Sequence, residues 1–263
     1  MAATSEFAQG SIQNLPSTAS QLLGRLRTEA VRVHAITNAA AQVFTANLLL
    51  AAGAVPSLTT APDEVPSFTS RAGALLVNLG TLDADRRTAI PWAIAAARAT
   101  HKPWVLDPVF VEISPPRLAL ARLCLTGEPR VVRCNRGEFE AMTDQQAQPE
   151  AVAEFARQHG CVVALTGPTD LVTDGTRSIS ISNGHPLMAY TTAMGCAATA
   201  LVAAFSALED DTVLAAASAL LIVAVAGEIA GETAKGPGSF PAILLDTLFG
   251  LDADTIAARA RLA

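Results

Sequence analysis

The stretch Val33-His34-Ala35-Ile36-Thr37-Asn38 opens the argument for the fold. It is a short apolar run that ends in two polar residues, the pattern of a buried strand. Gln42 to Ala52 follows as a helix closed by Gly53, and Ala54 to Thr59 returns as a second strand. Strand, helix and strand in this order form a βαβ unit, which predicts a parallel sheet.

The pattern continues outward in both directions. Upstream, Ser17 to Val31 has helical spacing with Leu22, Leu23 and Leu26 on one side, and Ser17 or Thr18 can cap it. Residues 1–16 are polar and mixed and are expected to be loose. Downstream, Ala74 to Leu79, Trp104 to Leu106, Arg130 to Arg133 and Cys161 to Leu165 read as strands. Helices are expected over Asp63 to Ser70, Asp83 to Thr100, Pro116 to Thr126, Gly137 to Thr143 and Pro149 to His159. Leu171 to Thr173 and Ser178 to Ser182 flank Asp174-Gly175, a hairpin-turn dipeptide. Thr192 to Leu208, Asp211 to Gly227 and Pro241 to Gly250 complete the chain as helices. With no repeat and no linker, residues 1–263 read as one α/β domain with a mostly parallel central sheet flanked by helices.

Composition narrows the class of partner. Of the 263 residues, 51% are apolar and 16% charged, and the net charge is −6. Without a basic cluster, nucleic acid is not an expected partner. So few charges favour an oligomer that buries part of its surface. The apolar run Val213 to Ala226 is shorter than a bilayer span and reads as a buried helix, so no membrane is expected. Cys124, Cys134, Cys161 and Cys196 form no CxxC pair, and residues 1–10 do not resemble a signal peptide. Free thiols in the cytoplasm follow.

Polar residues collect where the predicted strands end: Thr37-Asn38, Gly80-Thr81, Asp107-Pro108, Arg133-Cys134-Asn135 and Thr166-Gly167. Ligands of open α/β sheets bind beyond those ends. Asp107 and Glu138 can organise Mg²⁺ through waters, since that ion takes few carboxylates and keeps much of its hydration. Arg133 can contact a phosphate. The segment Thr191-Thr192-Ala193-Met194-Gly195-Cys196-Ala197-Ala198-Thr199 opens a helix, whose first N–H groups make an anion hole of Ala193, Met194, Gly195 and Cys196. These groups suffice for phosphoryl transfer from ATP, although the chain carries no Walker motif.

Many short segments, in order, resemble the hydroxyethylthiazole kinase family of the ribokinase-like superfamily. Among them are His34-Ala35-Ile36-Thr37-Asn38, Asn78-Leu79-Gly80-Thr81-Leu82, Leu106-Asp107-Pro108-Val109, Leu165-Thr166-Gly167, Gly195-Cys196 and Lys235-Gly236-Pro237-Gly238. The resemblance implies a ribokinase-like fold. It also implies transfer of the γ-phosphoryl group of ATP, with Mg²⁺, to the primary hydroxyl of 4-methyl-5-(2-hydroxyethyl)thiazole in thiamine salvage. Position by position, it implies that Arg133 and Thr166 contact ATP and that Asp107 and Glu138 organise Mg²⁺. Asn38, Leu58 and Ala193 would border the thiazole. Cys196 would lie by the attacking hydroxyl, either as its base or as a small neighbour. A homotrimer with the thiazole pocket between subunits is implied as well.

Four departures from the family pattern, at five positions, touch the site. Ala193 and Met194 stand in a loop that usually reads Thr-Gly-Thr/Ser-Gly-Cys. Phe110 replaces the glycine of Asp-Pro-Val-Gly, Cys134 that of Arg-Gly-Asn, and Leu58 a methionine. If the glycine at Ala193 needs a positive φ, alanine there costs on the order of 1 kcal/mol. These changes leave open a different small primary alcohol as substrate, or a weakened paralogue that only binds a ligand.

Overall fold

The computed structural model describes the backbone of residues 2–263 and the side chains from Asn14 onward. The βαβ unit forms as expected. Strand β1 (Arg32–Ile36), helix α2 (Gln42–Ala52) and strand β2 (Val55–Ser57) follow one another, and Gly53 closes the helix at φ +98°. A Cβ there would lie 2.7 Å from the Arg27 Cα, so glycine meets both a conformational and a spatial demand.

Six further strands complete one sheet: β3 (Ala74–Asn78), β4 (Trp104–Asp107), β5 (Val131–Asn135), β6 (Val162–Thr166), β7 (Asp170–Thr173) and β8 (Ser178–Ile181). Their order is β2-β1-β3-β4-β5-β6-β7-β8. The first six are parallel, and β6–β7 and β7–β8 are antiparallel, the latter across the Asp174-Gly175 turn. The C-terminus adds a short stretch to the outer edge, where Ser180 and Ala263 exchange backbone hydrogen bonds and Ile181 bridges Leu262. The chain's own tail therefore pairs part of an edge that would otherwise offer free N–H and C=O groups.

The two faces of the sheet are covered differently. On one lie α3 (Val65–Arg71), α4 (Ala84–Ala99), α5 (Pro115–Leu125), α6 (Arg136–Thr143) and α7 (Pro149–His159), around a core that includes Ile90, Leu106 and Phe139. On the other lie α8 (Met194–Ser206) against β1, β3 and β4, and α9 (Thr212–Thr233) against β6, β7 and β8. A second tier covers this pair: α1 (Ala2–Glu29) and α10 (Phe240–Gly250) pack on α9, and α2 packs on α8. A helix enclosed on all sides has no polar stripe, and both α8 and α9 are apolar around their circumference.

Two expectations change. The stretch 1–16 is helical from Ala2 onward, and Met1 lies outside the described residues. Its alanine, glutamate and glutamine residues are good helix formers, and Leu15 is fully buried, tying the end of the stretch to the core. Helix α9 is longer than the apolar run suggested. Its 22 residues include an 18-residue window of mean hydropathy 2.3, enough by length and composition to cross a membrane, yet 83% of that window is buried inside the protein.

Candidate active site

The C-terminal ends of β1, β3, β4 and β5 bring the polar strand-end residues together. β5 runs straight into α6 at a capping box. The Glu138 N–H donates to Asn135 Oδ1, and the Asn135 N–H donates to Glu138 Oε2, each at 2.9 Å. The remaining oxygen, Glu138 Oε1, accepts from the Phe110 N–H at 3.2 Å. Glu138, only 4% exposed, thus ties the loop after β4 to the start of α6.

Asp107 ends β4 and is fully buried. Its Oδ2 accepts from Asn78 Nδ2 at 2.7 Å and from the Thr199 hydroxyl at 3.1 Å, while Oδ1 is buried with no partner. Burial pushes its pKa up to about 6. Arg133 opposes that shift, Glu138 adds to it, and the Asn78 and Thr199 donors oppose it. Asn38, after β1, donates from Nδ2 to Asn78 Oδ1 at 3.1 Å and to Cys196 Sγ at 3.3 Å. One buried polar chain therefore connects Asp107 to Cys196.

The start of α8 is an N-terminus of unusual shape. Its N-cap, Ala193, sits at φ +71°, ψ 5°, in the left-handed region. The Met194 N–H donates to the Thr191 carbonyl at 3.3 Å, which removes Met194 from the expected anion hole. Among the described residues, the N–H groups of Ala193, Gly195 and Cys196 have no such partner. Arg133 packs directly on Gly195, where an added Cβ would come within 2.6 Å of Nη1. Arg133 Nε is buried and unpartnered, and none of the ion pairs among the described residues involves Arg133. An unpaired guanidinium beside free helical N–H groups is an anion site from two directions.

Cys196 differs from the activated thiol that a helix N-terminus implies. Burial first, and the Asp107 charge second, push its pKa up to about 12, against the opposing amides of Asn78 and Asn38 and the charge of Arg133. Loss of hydration outweighs the macrodipole at this position.

A cavity of about 700 Å³ opens beside Arg133, within the range that takes a nucleotide-sized ligand. Arg133, Thr166, Gly167 and Asp170 line one part, and residues 182–186 with Met188 and Ala189 line another. Met194, Gly195, Ala198, Leu220, Val223 and Ala224 from α8 and α9 supply a largely apolar floor. Arg133, Thr166, Met194 and Gly195 meet here, while Asn38, Asp107 and Cys196 meet in the adjoining polar chain. Leu58 lies in neither group. It follows β2 and packs, partly buried, on the core that contains α2 and α8.

The donor set suits a hydrated divalent cation. Asp107 Oδ1 is an unused buried acceptor. Glu138 already serves two N–H groups, so it would act through water. Among the described residues no group of three or more His, Cys, Asp and Glu side chains forms a cage, and Mg²⁺ needs none when phosphates and waters fill its shell.

Sequence reasoning missed Asn78, Thr199 and Asp170. Asn78 was hidden at the end of an apolar run and Thr199 inside a helix, so only their spatial neighbours reveal them. His185 accepts the Leu187 N–H at 3.2 Å within its turn and also lines the cavity.

The fold is similar to that of a ribokinase-like superfamily protein from Enterococcus faecalis V583. That structure matches with a TM-score of 0.67 at 14% identity, over 86% of this chain and 89% of the other, a likeness of fold. The fold is thus ribokinase-like, and the site is one suited to an anion. The hydroxyethylthiazole kinase family model matches residues 23–254. A probable hydroxyethylthiazole kinase of Agrobacterium fabrum is 43% identical, with 93% of this chain and 94% of that protein covered. The structure of a hydroxyethylthiazole kinase protein from Pyrococcus horikoshii OT3 matches with a TM-score of 0.89 at 34% identity, over 93% and 98% of the two chains. The chain belongs to the hydroxyethylthiazole kinase family.

Proposed function

We propose that this protein transfers the γ-phosphoryl group of ATP to the primary hydroxyl of 4-methyl-5-(2-hydroxyethyl)thiazole. The observation that carries this reading is the half-buried Arg133, its Nε buried without a partner, set against Gly195 beside a nucleotide-sized cavity. Arg133 and Thr166 hold the triphosphate. The free N–H groups of Gly195 and Cys196 face the oxygens of the transferred group, where charge spreads in the transition state. The substrate hydroxyl oxygen forms the new bond to phosphorus and its proton passes to water, while the bond from phosphorus to the β-phosphate oxygen breaks with its electron pair going to ADP, which leaves.

Asp107 would hold Mg²⁺ through its free oxygen, with Glu138 orienting a water of the ion's shell. Such an ion would supply positive charge to offset that of the phosphoryl oxygens. Asn38, Leu58 and Ala193 border the thiazole in this reading, and Cys196 lies next to the hydroxyl. With its thiol pushed up to about 12, Cys196 fits a neighbour better than a base.

The working form is a homotrimer with the thiazole pocket between subunits. Supporting this, Val43 and Leu50 on α2 are 75% and 56% exposed, an apolar surface on the helix that follows Asn38. The four free, buried cysteines suit a reducing cytoplasm.

The test is purified protein with ATP, Mg²⁺ and the thiazole alcohol, with products identified by mass. Thiazole phosphate establishes the reading. ADP formed only with another small primary alcohol would redirect the acceptor site, for which Phe110, Met194 and Leu58 are the departures to inspect. Absence of ATP binding by calorimetry would overturn the kinase assignment. A monomer mass in sedimentation would overturn the trimer.

A further inference from the structure

We propose that Asn78 is the positioning residue that locks Asp107 and the Asn38–Cys196 pair into one arrangement. This role rests on the kinase reading above. The sheet order places β3 between β1 and β4, and Asn78, the last residue of β3, is in register with Asp107 and fully buried. From this central place it touches both halves of the site.

The orientation of its amide is not free. The Gly80 backbone N–H, which can only donate, lies 3.0 Å from one side-chain atom of Asn78, so that atom is the carbonyl oxygen Oδ1. Nδ2 must then face Asp107, which it does at 2.7 Å. Together with the Thr199 hydroxyl, it occupies Asp107 Oδ2 and leaves Oδ1 as the one unused oxygen. The carboxylate cannot turn without breaking a contact to Asn78.

The second lone pair of Asn78 Oδ1 accepts from Asn38 Nδ2 at 3.1 Å. This fixes the Asn38 amide too, because its nitrogen must face Asn78. The other hydrogen of that nitrogen points to Cys196 Sγ at 3.3 Å. A backbone N–H at Gly80 thus sets, through one asparagine, which oxygen of Asp107 is available and which group meets the thiol. Gly80 has its own steric reason to remain glycine, since a Cβ there would lie 2.6 Å from the Asn38 Cβ. The close approach keeps the Gly80 N–H and the Asn38 side chain on the same oxygen.

The experiment compares wild type with Asn78→Ala, and with the isosteric Asn78→Asp should the alanine variant fail to fold. Asn78→Asp keeps an acceptor for Gly80 but sets oxygen against oxygen at Asp107. Crystal structures of the variants are expected to show the Asp107 carboxylate and the Asn38 amide turned from their present positions over an unchanged sheet. In turnover with the thiazole alcohol, kcat is expected to fall on the order of 10- to 100-fold, as when a reacting group is misplaced by about 1 Å. The KM for ATP and direct ATP binding are expected to stay within about threefold, because Asn78 does not line the nucleotide cavity. In an Asn38→Ala background, part of the cost of Asn78→Ala should disappear, as expected for residues acting through one network. Unmoved Asp107 and Asn38 side chains, or equal losses in kcat and ATP affinity, would overturn the role of Asn78. A wild-type protein that makes no thiazole phosphate would instead overturn the proposed acceptor, while the crystallographic arm would still decide the positioning role.

Discussion

Gly195→Ala separates the stability of this protein from its nucleotide affinity. A Cβ at this position would stand 2.6 Å from Arg133 Nη1, 3.1 Å from Nη2 and 3.2 Å from Cζ. Ordinary contact begins near 3.4 Å, so the guanidinium must retreat by 3.4 − 2.6 = 0.8 Å or more. What is displaced is the far end of a flexible side chain, and alanine is the better residue inside a helix by up to about 1 kcal/mol. The fold should therefore tolerate the change, with Tm within about 2 °C of wild type. The phosphate site should not. Each charge-assisted hydrogen bond lost from Arg133 weakens ATP binding by about 1.5–3 kcal/mol, roughly 10- to 150-fold. Calorimetric ATP titration and differential scanning on the same samples read both quantities. ATP affinity within about threefold of wild type would refute the placement of Arg133 on the phosphates. A loss of Tm beyond about 5 °C would refute the claim that only the arginine head is displaced.

Other outcomes follow from the same geometry. Asp107→Asn should abolish most turnover yet raise Tm at pH 7 in the metal-free protein, because a buried carboxylate whose pKa is raised to about 6 from 3.8 is costly to ionise. In the wild type this group's contribution is full below about pH 4, is lost as pH rises through about 6 and stays lost above that. A lower Tm for the variant at pH 7 would contradict it. Cys196→Ala should keep kcat within about tenfold, since a thiol pushed up to about 12 is not ionised at pH 7. A loss of 10²-fold or more would restore it as the base. Ala193→Gly should stabilise the fold by up to about 1 kcal/mol by relieving the left-handed alanine. Thermal melts that move down would show that the loop needs the methyl group.

Much of the fold could be read from the chain because parallel strands and their covering helices leave local marks. Asp107 and Thr166 end their strands as polar composition suggested, while β5 runs two residues past Arg133 to Asn135. The capping box of Asn135 and Glu138 is local enough to arise from three residues of spacing, although its tie to Phe110 is not. What could not be read was of two kinds. Side-chain partnerships such as Asn38–Asn78–Asp107 join residues 29 to 69 positions apart, and no periodicity encodes them. Environment reverses local rules as well. The helix start at Cys196 suggested a reactive thiol, but burial and a neighbouring carboxylate decide otherwise. The departure at Ala193 was legible in its consequence, since φ +71° is the conformation glycine would have supplied. Phe110, in place of another expected glycine, also sits at a positive φ, +57°.

The enclosed helix α9 has a consequence for how the chain is made. It begins at Thr212, after all eight strands have been synthesised. On leaving the ribosome it exposes an 18-residue window of mean hydropathy 2.3, which a membrane insertion machinery or an aggregating neighbour would recognise as readily as the nascent sheet does. Its late place in the chain means that the receiving face, strands β6 to β8, is already available when it emerges. A circular permutant that begins with α9 would present the same segment before any of its partners exists. It should accumulate as insoluble or membrane-associated protein even though every native contact remains available to it.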